Sequence, residues 1–538
     1  MSQVEVDKII PQSGTTLTVG DSGDTITIPS GATLSNSGTT TIAGNLSVDS
    51  GTIKLDGNYP TGTNNVALGD QALSSGSLSG GNNTAVGSLS LLSNTSGASN
   101  TAVGRCALNA SSLASNNTAI GDRSLLVTTC GNNTSVGASS VRCNTTGENL
   151  VALGVNALLN NTTASNNTAV GFCSLNANTT GSQNVALGTT TLCDNTTGSY
   201  NVAIGNSTLD KNTTAESNTG VGYAVLTNNT TGCQNTAMGQ AALFNNTTGA
   251  SNTAIGRSAL QDNTTASYST AVGFKSMCTN TTGVANNAFG AFSLLNTTTG
   301  KANVAIGGCN VGAYGASLES NTTGCCNVAV GTGALRNNTT ANDNTAVGTL
   351  ALINNTTGCK NTAVGCGAGC AITDGIGNTL IGSDAGKNIV AGGGNTVLGS
   401  LTPDGTYSPP YDATGSNNNR LVLGSTTVTN AYVKVDWTVT SDLRDKMNIE
   451  SIPHGLNFVN QLNPIKFNFK KDRNTEVAHG NKKYGFKAQD ILALEGEDNV
   501  IIDNEDTNNL KLTNAHLIPV LVNAIKELTA RVEELENE

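Results

Sequence analysis

The chain is poor in the residues from which ordinary globular cores are built. Of its 538 residues only 12% are charged and 4% are aromatic, with one tryptophan, nine prolines and four methionines. A chain with so few large side chains cannot fill several compact cores at normal density, so a string of globular domains is excluded. Proline is too scarce for a collagen, and glycine lacks its three-residue period. Composition therefore indicates a fibre-like protein.

Long apolar runs and an excess of basic residues are also missing. No stretch of about 18 apolar residues exists, so neither a spanning helix nor membrane insertion is expected. The net charge of −11 argues against a nucleic-acid partner. The first eight residues, MSQVEVDK, lack the basic and apolar regions of a secretion signal, so we expect synthesis in a cytoplasm.

The thirteen cysteines lie between Cys106 and Cys370 and show no regular CxxC spacing. Several share equivalent positions of the repeat described below, which favours small buried thiols that fill an Ala- or Ser-sized slot. The three histidines are outside this region, and the spacing of a four-ligand site is missing. We therefore expect no metal site and no cofactor.

The strongest positive feature is a tandem repeat. A block of the form Asn-Thr/Val-Ala-Val/Ile/Leu-Gly recurs from Gly69 to Gly424, and 16 of the 20 intervals between its final glycines are 17 residues. In the copy that starts at Asn201, strand-like pieces are visible at Val-Ala-Ile and around Ser-Thr-Leu, bounded by Gly and Asn-Thr-Thr turns. One copy cannot offset its backbone entropy, whereas stacked copies bury a continuous core. The prediction is a mainly β fold, a stacked β-solenoid or β-roll shaft that advances about 4.8 Å per copy.

Three details of the repeat carry further expectations. Small Ala, Ser and Gly columns imply a thin interior, so we expect three chains to share one core. The 24-residue interval from Gly307 to Gly331 predicts an outward loop of about seven extra residues near 309–320, because the flanking copies must keep their register. The Asn-Thr-Thr triplets match the N-glycosylation sequon, but a turn that is repeated with the repeat also explains them.

The chain divides into four predicted parts. Residues 1–60, with short alternating strands between Gly/Ser turns, are expected to form a β-rich stem that attaches the shaft to a partner, and residues 61–400 to form the shaft. Residues 401–440 combine an insertion at 401–418 with a strand linker, and the insertion is either an exposed recognition loop or a hinge that closes the shaft. Residues 441–538 hold 29 of the 63 charged residues, which indicates a small α+β domain.

The C-terminal segment ends in a heptad pattern that predicts a coiled-coil helix. One core position holds β-branched residues and the other holds leucine, a combination that favours two strands, whereas the shaft favours three. The two indications disagree. The residues are Ile518, Ile525 and Val532 at the first position, and Leu521, Leu528 and Leu535 at the second.

Four ordered motifs give residues 441–538 a family resemblance. SDLRDKMNI at 441–449 is similar to an opening motif of the form SDxRxKxxI, and LNP at 462–464, GFKAQD at 485–490 and AIKEL at 524–528 follow it. With these motifs the segment resembles the intramolecular chaperone domain of phage tailspikes and fibres, the endosialidase-type or peptidase S74 domain. The repeats resemble, less specifically, the head β-roll repeats of trimeric adhesins and phage fibres.

The resemblance implies an assembly and a site. Family members form trimers that the C-terminal domain aligns during folding, and many cut themselves before the motif serine. The scissile bond would be Thr440–Ser441, with Ser441 as nucleophile, Lys446 as base, and Asp442 and Arg444 as orienting residues. A spacing of five does not put Ser441 and Lys446 on one helical face, so a turn or a partner chain must bring them together. A desolvated lysine with a lowered pKa can serve as such a base.

The predicted function is that of a structural and adhesive virion protein, a homotrimeric phage tail fibre assembled in the host cytoplasm. Its N-terminus would bind a tail or baseplate component, and it would attach to a glycan or protein of the host surface. Its enzymatic activity would be one self-cleavage per chain, without external substrates. One alternative is a glycan-degrading tailspike with an active site between chains, although residues 61–400 offer only 11 carboxylates. The other is a bacterial trimeric autotransporter adhesin, which needs a secretion signal and a membrane barrel.

Overall fold

Two architectures follow each other along the chain, a long parallel β-solenoid and a small α+β region. The structure is a computed structural model, and it describes residues 62–308, 314–428, 431–432, 434, 440–470, 474–496, 499–505 and 507–538. The stem predicted at residues 1–60 lies outside the described residues.

Twenty-one short parallel strands stack along the solenoid. Each strand has three residues, and its middle residue, usually alanine, points into the core. Each pairs with its equivalent in the next coil, as in Val202↔Thr219 and Ala203↔Gly220. This confirms the predicted stack of 17-residue coils. The strands are β1 Val66–Leu68, β2 Thr84–Val86, β3 Thr101–Val103, β4 Thr118–Ile120, β5 Thr134–Val136, β6 Val151–Leu153, β7 Thr168–Val170, β8 Val185–Leu187, β9 Val202–Ile204, β10 Thr219–Val221, β11 Thr236–Met238, β12 Thr253–Ile255, β13 Thr270–Val272, β14 Asn287–Phe289, β15 Val304–Ile306, β16 Val328–Val330, β17 Thr345–Val347, β18 Thr362–Val364, β19 Thr379–Ile381, β20 Thr396–Leu398 and β21 Leu421–Leu423.

The second piece of each coil is a buried turn, so its prediction as a strand is wrong. In the coil that starts at Asn201, residues 206–211 are turns, and Leu209 has a φ of 54° and is completely buried. Its N–H still donates to Val225 O of the next coil at 2.9 Å, so the turns of successive coils are hydrogen-bonded to each other as the strands are. A left-handed leucine is disfavoured locally, and the coils on either side hold it in place.

The core of the solenoid is enclosed by a single chain. The strand alanines and turn leucines form columns of fully buried side chains, represented by Ala203 and Leu209. Two further columns consist of buried asparagines, represented by Asn201 and Asn212. A core shared by three chains is therefore not needed to bury these residues. The association of three chains stays a prediction.

The buried asparagines form hydrogen-bonded ladders along the shaft. Asn212 Nδ2 donates to Asn195 Oδ1 at 2.7 Å and to Ala215 O at 3.0 Å, and Asn195 Nδ2 donates to Asn178 Oδ1 at 2.9 Å. These asparagines open the Asn-Thr-Thr triplets, so the triplets are structural turns, and their buried amides are closed to glycosylation. The ladder is continuous from Asn144 to Asn280.

The glycine that follows each strand is required by the stacking. Gly205 has a φ of 126°, and a Cβ at this position would lie 2.1 Å from Gly222 O of the next coil. Both the backbone conformation and the space therefore admit only glycine. This explains why the repeat block ends in glycine in nearly every coil.

The 24-residue interval leaves the strand register intact, since Val304 of β15 pairs with Val328 of β16. Ser317 N–H donates to Gly307 O, as Ser293 N–H does to Gly290 O in the preceding coil, so the added residues lie between Gly307 and Ser317. Residues 309–313 are outside the described residues, and Tyr314 is exposed. Ala316, Ser317 and Leu318 are fully buried, so the outward loop predicted at 309–320 is wrong at its C-terminal end.

The C-terminal region is a small α+β unit that ends in a helix, as predicted. β22 and β23 form one antiparallel hairpin, and β24 and β25 pair in a second. None of the helices among the described residues is long and apolar enough to cross a membrane. The elements are a 3-10 turn Leu443–Asp445, α1 Leu456–Gln461, β22 Ile465–Lys470, β23 Ala478–Gly485, α2 Ala488–Glu495, β24 Ile502–Asp503, β25 Lys511–Leu512 and α3 Asn514–Glu536. Its buried core consists of Phe458, Ile491, Ile501, Ile502, Leu517 and Val520.

Candidate functional site

Ser441 and Lys446 lie at the start of the C-terminal region and are in direct contact. Lys446 Nζ donates to Ser441 Oγ at 2.7 Å. The 3-10 turn at Leu443–Asp445 reverses the chain between them, and Lys446 N–H donates to Leu443 O at 3.1 Å. Of the two routes that the sequence left open, a turn or a partner chain, the turn is sufficient.

Asp442 and Arg444 fix this turn. The Asp442 carboxylate accepts from Arg444 N–H at 2.9 Å and from Arg444 Nη2 at 2.6 Å. These hydrogen bonds hold the pKa of Asp442 below its ordinary value and raise the pKa of Arg444. The turn sets the distance between Ser441 and Lys446. Asp442 and Arg444 can therefore orient these two residues by stabilising the backbone of the turn.

The site lies on the surface of the single chain. Thr440, Ser441 and Lys446 are all exposed. Leu443 and Met447 beside them are 69% and 81% exposed, so two apolar side chains next to the site are uncovered. A lysine acts as a base after it loses its proton, which burial promotes because burial disfavours the charged form. A surface that covers Leu443 and Met447 would provide such burial.

Glu495 is a structural residue of the domain that the sequence analysis missed. It lies at the end of α2, is 5% exposed, and accepts from the N–H groups of Val500 at 2.9 Å, Ile501 at 2.5 Å and Ile502 at 3.0 Å. These bonds hold the segment that leads into β24. A glutamate before a glycine at a helix end looks like a solvated surface residue, so the sequence carries no signal for this role.

Most of the cysteines that the structure describes are only partly buried, so the prediction of small buried thiols is wrong for most of them. Of the twelve that the structure describes, Cys278 is buried, Cys326 and Cys366 are exposed, and the others are intermediate. Burial raises the pKa of Cys193 to about 11, and burial likewise raises the pKa of Cys278. The described cysteines are free thiols.

One column of cysteines takes the place of a serine column at a corner of the coil. Cys325 Sγ accepts from Lys301 N–H at 3.4 Å. In an earlier coil Ser115 Oγ accepts from Ala98 N–H at 3.0 Å. The thiol thus replaces a hydroxyl group as the hydrogen-bond acceptor at this position. The position therefore selects a small side chain that can accept a hydrogen bond, and it is not an enclosed apolar slot.

Two shaft carboxylates from neighbouring coils meet at one lysine. Lys211 Nζ lies 2.9 Å from Asp194 Oδ2 and 3.5 Å from Asp210 Oδ2. Burial raises the pKa of Asp210, and Lys211 opposes that effect. The lysine makes this cluster an ion-pair network, and glycan cleavage by the shaft stays a prediction. No group of three or more His, Cys, Asp or Glu among the described residues could hold a metal ion.

Comparison with protein families identifies the C-terminal region. Residues 441–501 match the family described as chaperone of endosialidase, Peptidase_S74. No curated protein matches the chain. The matched segment begins at Ser441 and includes the 3-10 turn, α1, β22, β23 and α2. The chain therefore carries an endosialidase-type chaperone domain after a parallel β-solenoid shaft, a combination that supports a tailspike- or fibre-like protein.

Proposed function

We propose that the protein is a homotrimeric tail fibre of a phage, whose C-terminal domain guides trimer assembly and then cuts itself free at Thr440–Ser441. The observation that carries the proposal is the 2.7 Å contact between Lys446 Nζ and Ser441 Oγ at the first residue of the chaperone domain. The fibre would be assembled in the host cytoplasm and attached to a virion tail or baseplate through residues 1–60.

The outer face of the strands supports association with further copies of the chain. The third residue of all 21 strands is Val, Ile, Leu, Met or Phe, and this residue points away from the core. Ile204, Met238 and Phe289 are 40%, 43% and 42% exposed. The apolar column is roughly 100 Å long at about 4.8 Å per coil. An apolar surface of this extent marks an interface, and a second shaft of the same repeat matches its length.

Helix α3 supports the same association at the other end of the chain. Ile518, Ile525 and Leu535 of its heptad pattern are 61%, 62% and 69% exposed in the single chain. Heptad core positions bury such residues against the equivalent residues of other helices. Two separate apolar surfaces of one chain therefore support the proposal that copies of that chain are its partners.

The cleavage follows from the position of the nucleophile. Ser441 contributes the amide nitrogen of the scissile bond, so its Oγ can attack the carbonyl carbon of Thr440 through a five-membered ring. Lys446, when neutral, takes the hydroxyl proton and passes it to the departing amide nitrogen. The product is an ester between the Thr440 carbonyl and Ser441 Oγ, with a free α-amine on Ser441. Water then hydrolyses the ester to the Thr440 carboxylate and restores the serine hydroxyl.

The test of this reaction is mass spectrometry of purified full-length variants. Wild type is expected to give fragments 1–440 and 441–538, and Ser441→Ala an uncut chain. Lys446→Ala should slow cleavage at least about 100-fold, because proton transfer by a side chain contributes that much or more. Lys482→Ala, which removes an exposed lysine of β23, is the matched control and should cut normally.

The ester gives a second, independent readout. Added hydroxylamine should speed cleavage of wild type and leave a hydroxamate on Thr440, whereas the Ser441→Ala chain should not react. Cleavage that continues in Ser441→Ala would overturn the assignment of the nucleophile. If the wild-type chain assembles into a trimer and stays intact, the proposed self-cleavage is wrong, whereas the proposed chaperone role is not affected.

Three exposed aromatic residues support host attachment by the shaft. Phe172, Tyr223 and Phe274 follow the block glycine in coils that are three repeats apart, and they are 52%, 59% and 37% exposed. They form a row with a spacing of roughly 14 Å. Aromatic rings with one exposed face bind the apolar faces of ligands such as sugars. Replacement of Phe172 and Tyr223 by alanine should reduce binding of purified fibre to host cells, with Tyr314→Ala, an exposed aromatic outside this row, as the control.

A further inference from the structure

The end of the shaft and the C-terminal domain are joined by an ion pair. Arg420 Nη2 lies 2.7 Å from Glu505 Oε1 and 2.5 Å from Glu505 Oε2. Arg420 precedes β21, the last strand of the solenoid, whereas Glu505 lies between β24 and β25 of the domain. Both side chains are partly exposed, at 40% and 45%. The pair therefore connects the two regions on either side of the proposed cleavage site.

Two further polar contacts cross the same junction. Lys511 Nζ of β25 lies 3.9 Å from the ring centroid of Tyr411. His479 Nε2 of β23 is 2.9 Å from Thr427 O, which follows β21. The three contacts involve three separate segments of the domain, so they define a surface and not a single point.

The insertion that contributes Tyr411 is fastened to the shaft. Tyr411 packs against the core of the solenoid. Asp412 accepts from Asn388 Nδ2 at 2.7 Å and from Tyr407 Oη at 2.9 Å. The Lys387 ammonium lies 4.2 Å from the Tyr407 ring centroid. The segment 401–418 is thus fixed to the last coils of the shaft, and Tyr411 contacts both the shaft and the domain.

A second asparagine ladder, in the column represented by Asn201, ends at Arg420. The Arg420 N–H donates to Asn395 Oδ1 at 3.0 Å, as the N–H of Asn395 does to Asn378 Oδ1 in the coil before. The backbone of Arg420 therefore continues the ladder, while its side chain leaves the coil for Glu505. An asparagine at this position would complete the ladder but could not reach the domain.

We infer that Tyr411, Arg420 and Thr427 form a docking surface for the C-terminal domain, which stays bound there after the cut until salt dissociates it. This inference rests on the proposed cleavage. The contacts are an ion pair, a cation–π contact and one hydrogen bond, and each is individually weak at an exposed site. Three copies that act together in a trimer add their effects. Exposed ion pairs are screened by salt, so the released fraction rises with ionic strength.

The test separates docking from self-cleavage. A Ser441→Ala chain with a recognition sequence for a site-specific protease after Thr440 is cut by that protease, so the experiment works even if the chain does not cut itself. Size-exclusion chromatography then follows the two fragments at about 20 mM and about 500 mM NaCl, which differ severalfold in screening length. We expect co-elution at the lower salt and separation at the higher.

Charge reversal assigns the effect to the ion pair. Glu505→Arg should abolish co-elution at low salt, and Arg420→Glu combined with Glu505→Arg should restore it. Glu476→Arg breaks an exposed ion pair with Lys470 inside the domain and is the matched control, with wild-type co-elution expected. Fragments that separate at low salt in the parent chain would overturn the inference, as would co-elution that Glu505→Arg leaves unchanged.

Discussion

The shaft and the C-terminal domain differ in how much of their structure a single chain completes. In the shaft, one chain encloses continuous columns of Ala, Leu and Asn, and Leu209 or Asn212 has no exposed surface. In the domain, six side chains form the buried core, while Met447, Ile518 and Ile525 are 81%, 61% and 62% exposed. The single chain therefore encloses the interior of the shaft completely, whereas it leaves these apolar side chains of the domain exposed.

Under the proposed function, this difference accounts for the presence of a repetitive shaft and a unique domain in one protein. Equivalent coils stack along the chain without ambiguity, because each follows the one before it. Between chains the same equivalence is a problem, since a shift by one coil places nearly identical side chains opposite each other. In the proposed trimer, a unique structure at the end of the shaft would remove that ambiguity. The predictions below distinguish the stability of the shaft from the assembly role of the domain, and they run from the largest expected effect to the smallest.

Deletion of residues 441–538 should have the largest effect. The shafts should aggregate or form assemblies of mixed size, because nothing selects one register among many of similar energy. Sedimentation velocity on the truncated chain measures this directly. The uncut Ser441→Ala chain is the control and should sediment as a trimer. A soluble trimer from the truncated chain would disprove the chaperone role.

Leu209→Ala and Ile525→Ala should act on different properties. Leu209→Ala leaves a cavity in the enclosed core and should lower the free energy of unfolding by about 2–5 kcal/mol. Ile525 is exposed in the single chain, so its replacement should weaken the trimer with little change in the unfolding of the shaft. Denaturant unfolding followed by circular dichroism, together with sedimentation, distinguishes these results. Equal effects on both readouts would contradict the division of roles.

The stacking could be predicted from the sequence because the 17-residue period recurs in nearly every coil. The sequence did not predict the form of the second segment, since a buried Leu209 fits the pattern of a strand as well as that of a left-handed turn. The asparagine ladder was also missed, because Asn-Thr-Thr has the composition of an exposed turn. Burial of Asn212 becomes evident only when its partners in the adjacent coils are known.

The candidate site was predicted in part for a similar reason. Ser441 and Lys446 belong to a short motif that one turn brings together, so local sequence contains the relevant information. The contacts of Glu495 with residues 500–502 depend on how α2 meets β24, and the pair of Arg420 with Glu505 joins positions 85 residues apart. Neither arrangement has a local signature.

Asn212→Leu should destabilise the shaft by about 1–3 kcal/mol, the effect of leaving buried polar groups unpaired. The change removes the acceptor of Asn229 Nδ2, which lies 3.1 Å from Asn212 Oδ1, and the donor to Asn195 Oδ1. Denaturant unfolding measures the loss. An exposed asparagine, Asn206, provides the control when replaced by leucine, and equal stability of the two variants would contradict a structural role for the ladder.

Thr297→Asn should instead stabilise the shaft by about 1 kcal/mol, the net value of a typical hydrogen bond. Thr297 interrupts the ladder, and Asn280 Oδ1 before it is buried without a hydrogen-bond partner. An asparagine at 297 would supply the missing donor. The midpoint of denaturant unfolding should rise, and a fall would show that the space does not admit the amide.

The cysteines should differ in reactivity with iodoacetamide. Cys326 and Cys366 are exposed and should react first, whereas Cys193 and the buried Cys278 should react much later. Burial raises the pKa of Cys193 to about 11, and the thiolate is the reactive form, so about one thiol in a thousand is reactive at pH 8. Its rate should increase as pH rises toward that pKa. Peptide mass spectrometry over time measures the order, and early modification of Cys193 would contradict it.

The asparagine ladder also gives the shaft an electrical direction. Each side-chain amide from Asn144 to Asn263 accepts from the next, C-terminal coil, and each from Asn161 to Asn280 donates to the preceding, N-terminal coil. The amide dipoles are therefore aligned head to tail, as peptide dipoles are in an α-helix, and neighbouring bonds polarise one another. Their sum is a macrodipole with its positive pole toward the N-terminal end of the fibre and its negative pole toward the chaperone domain.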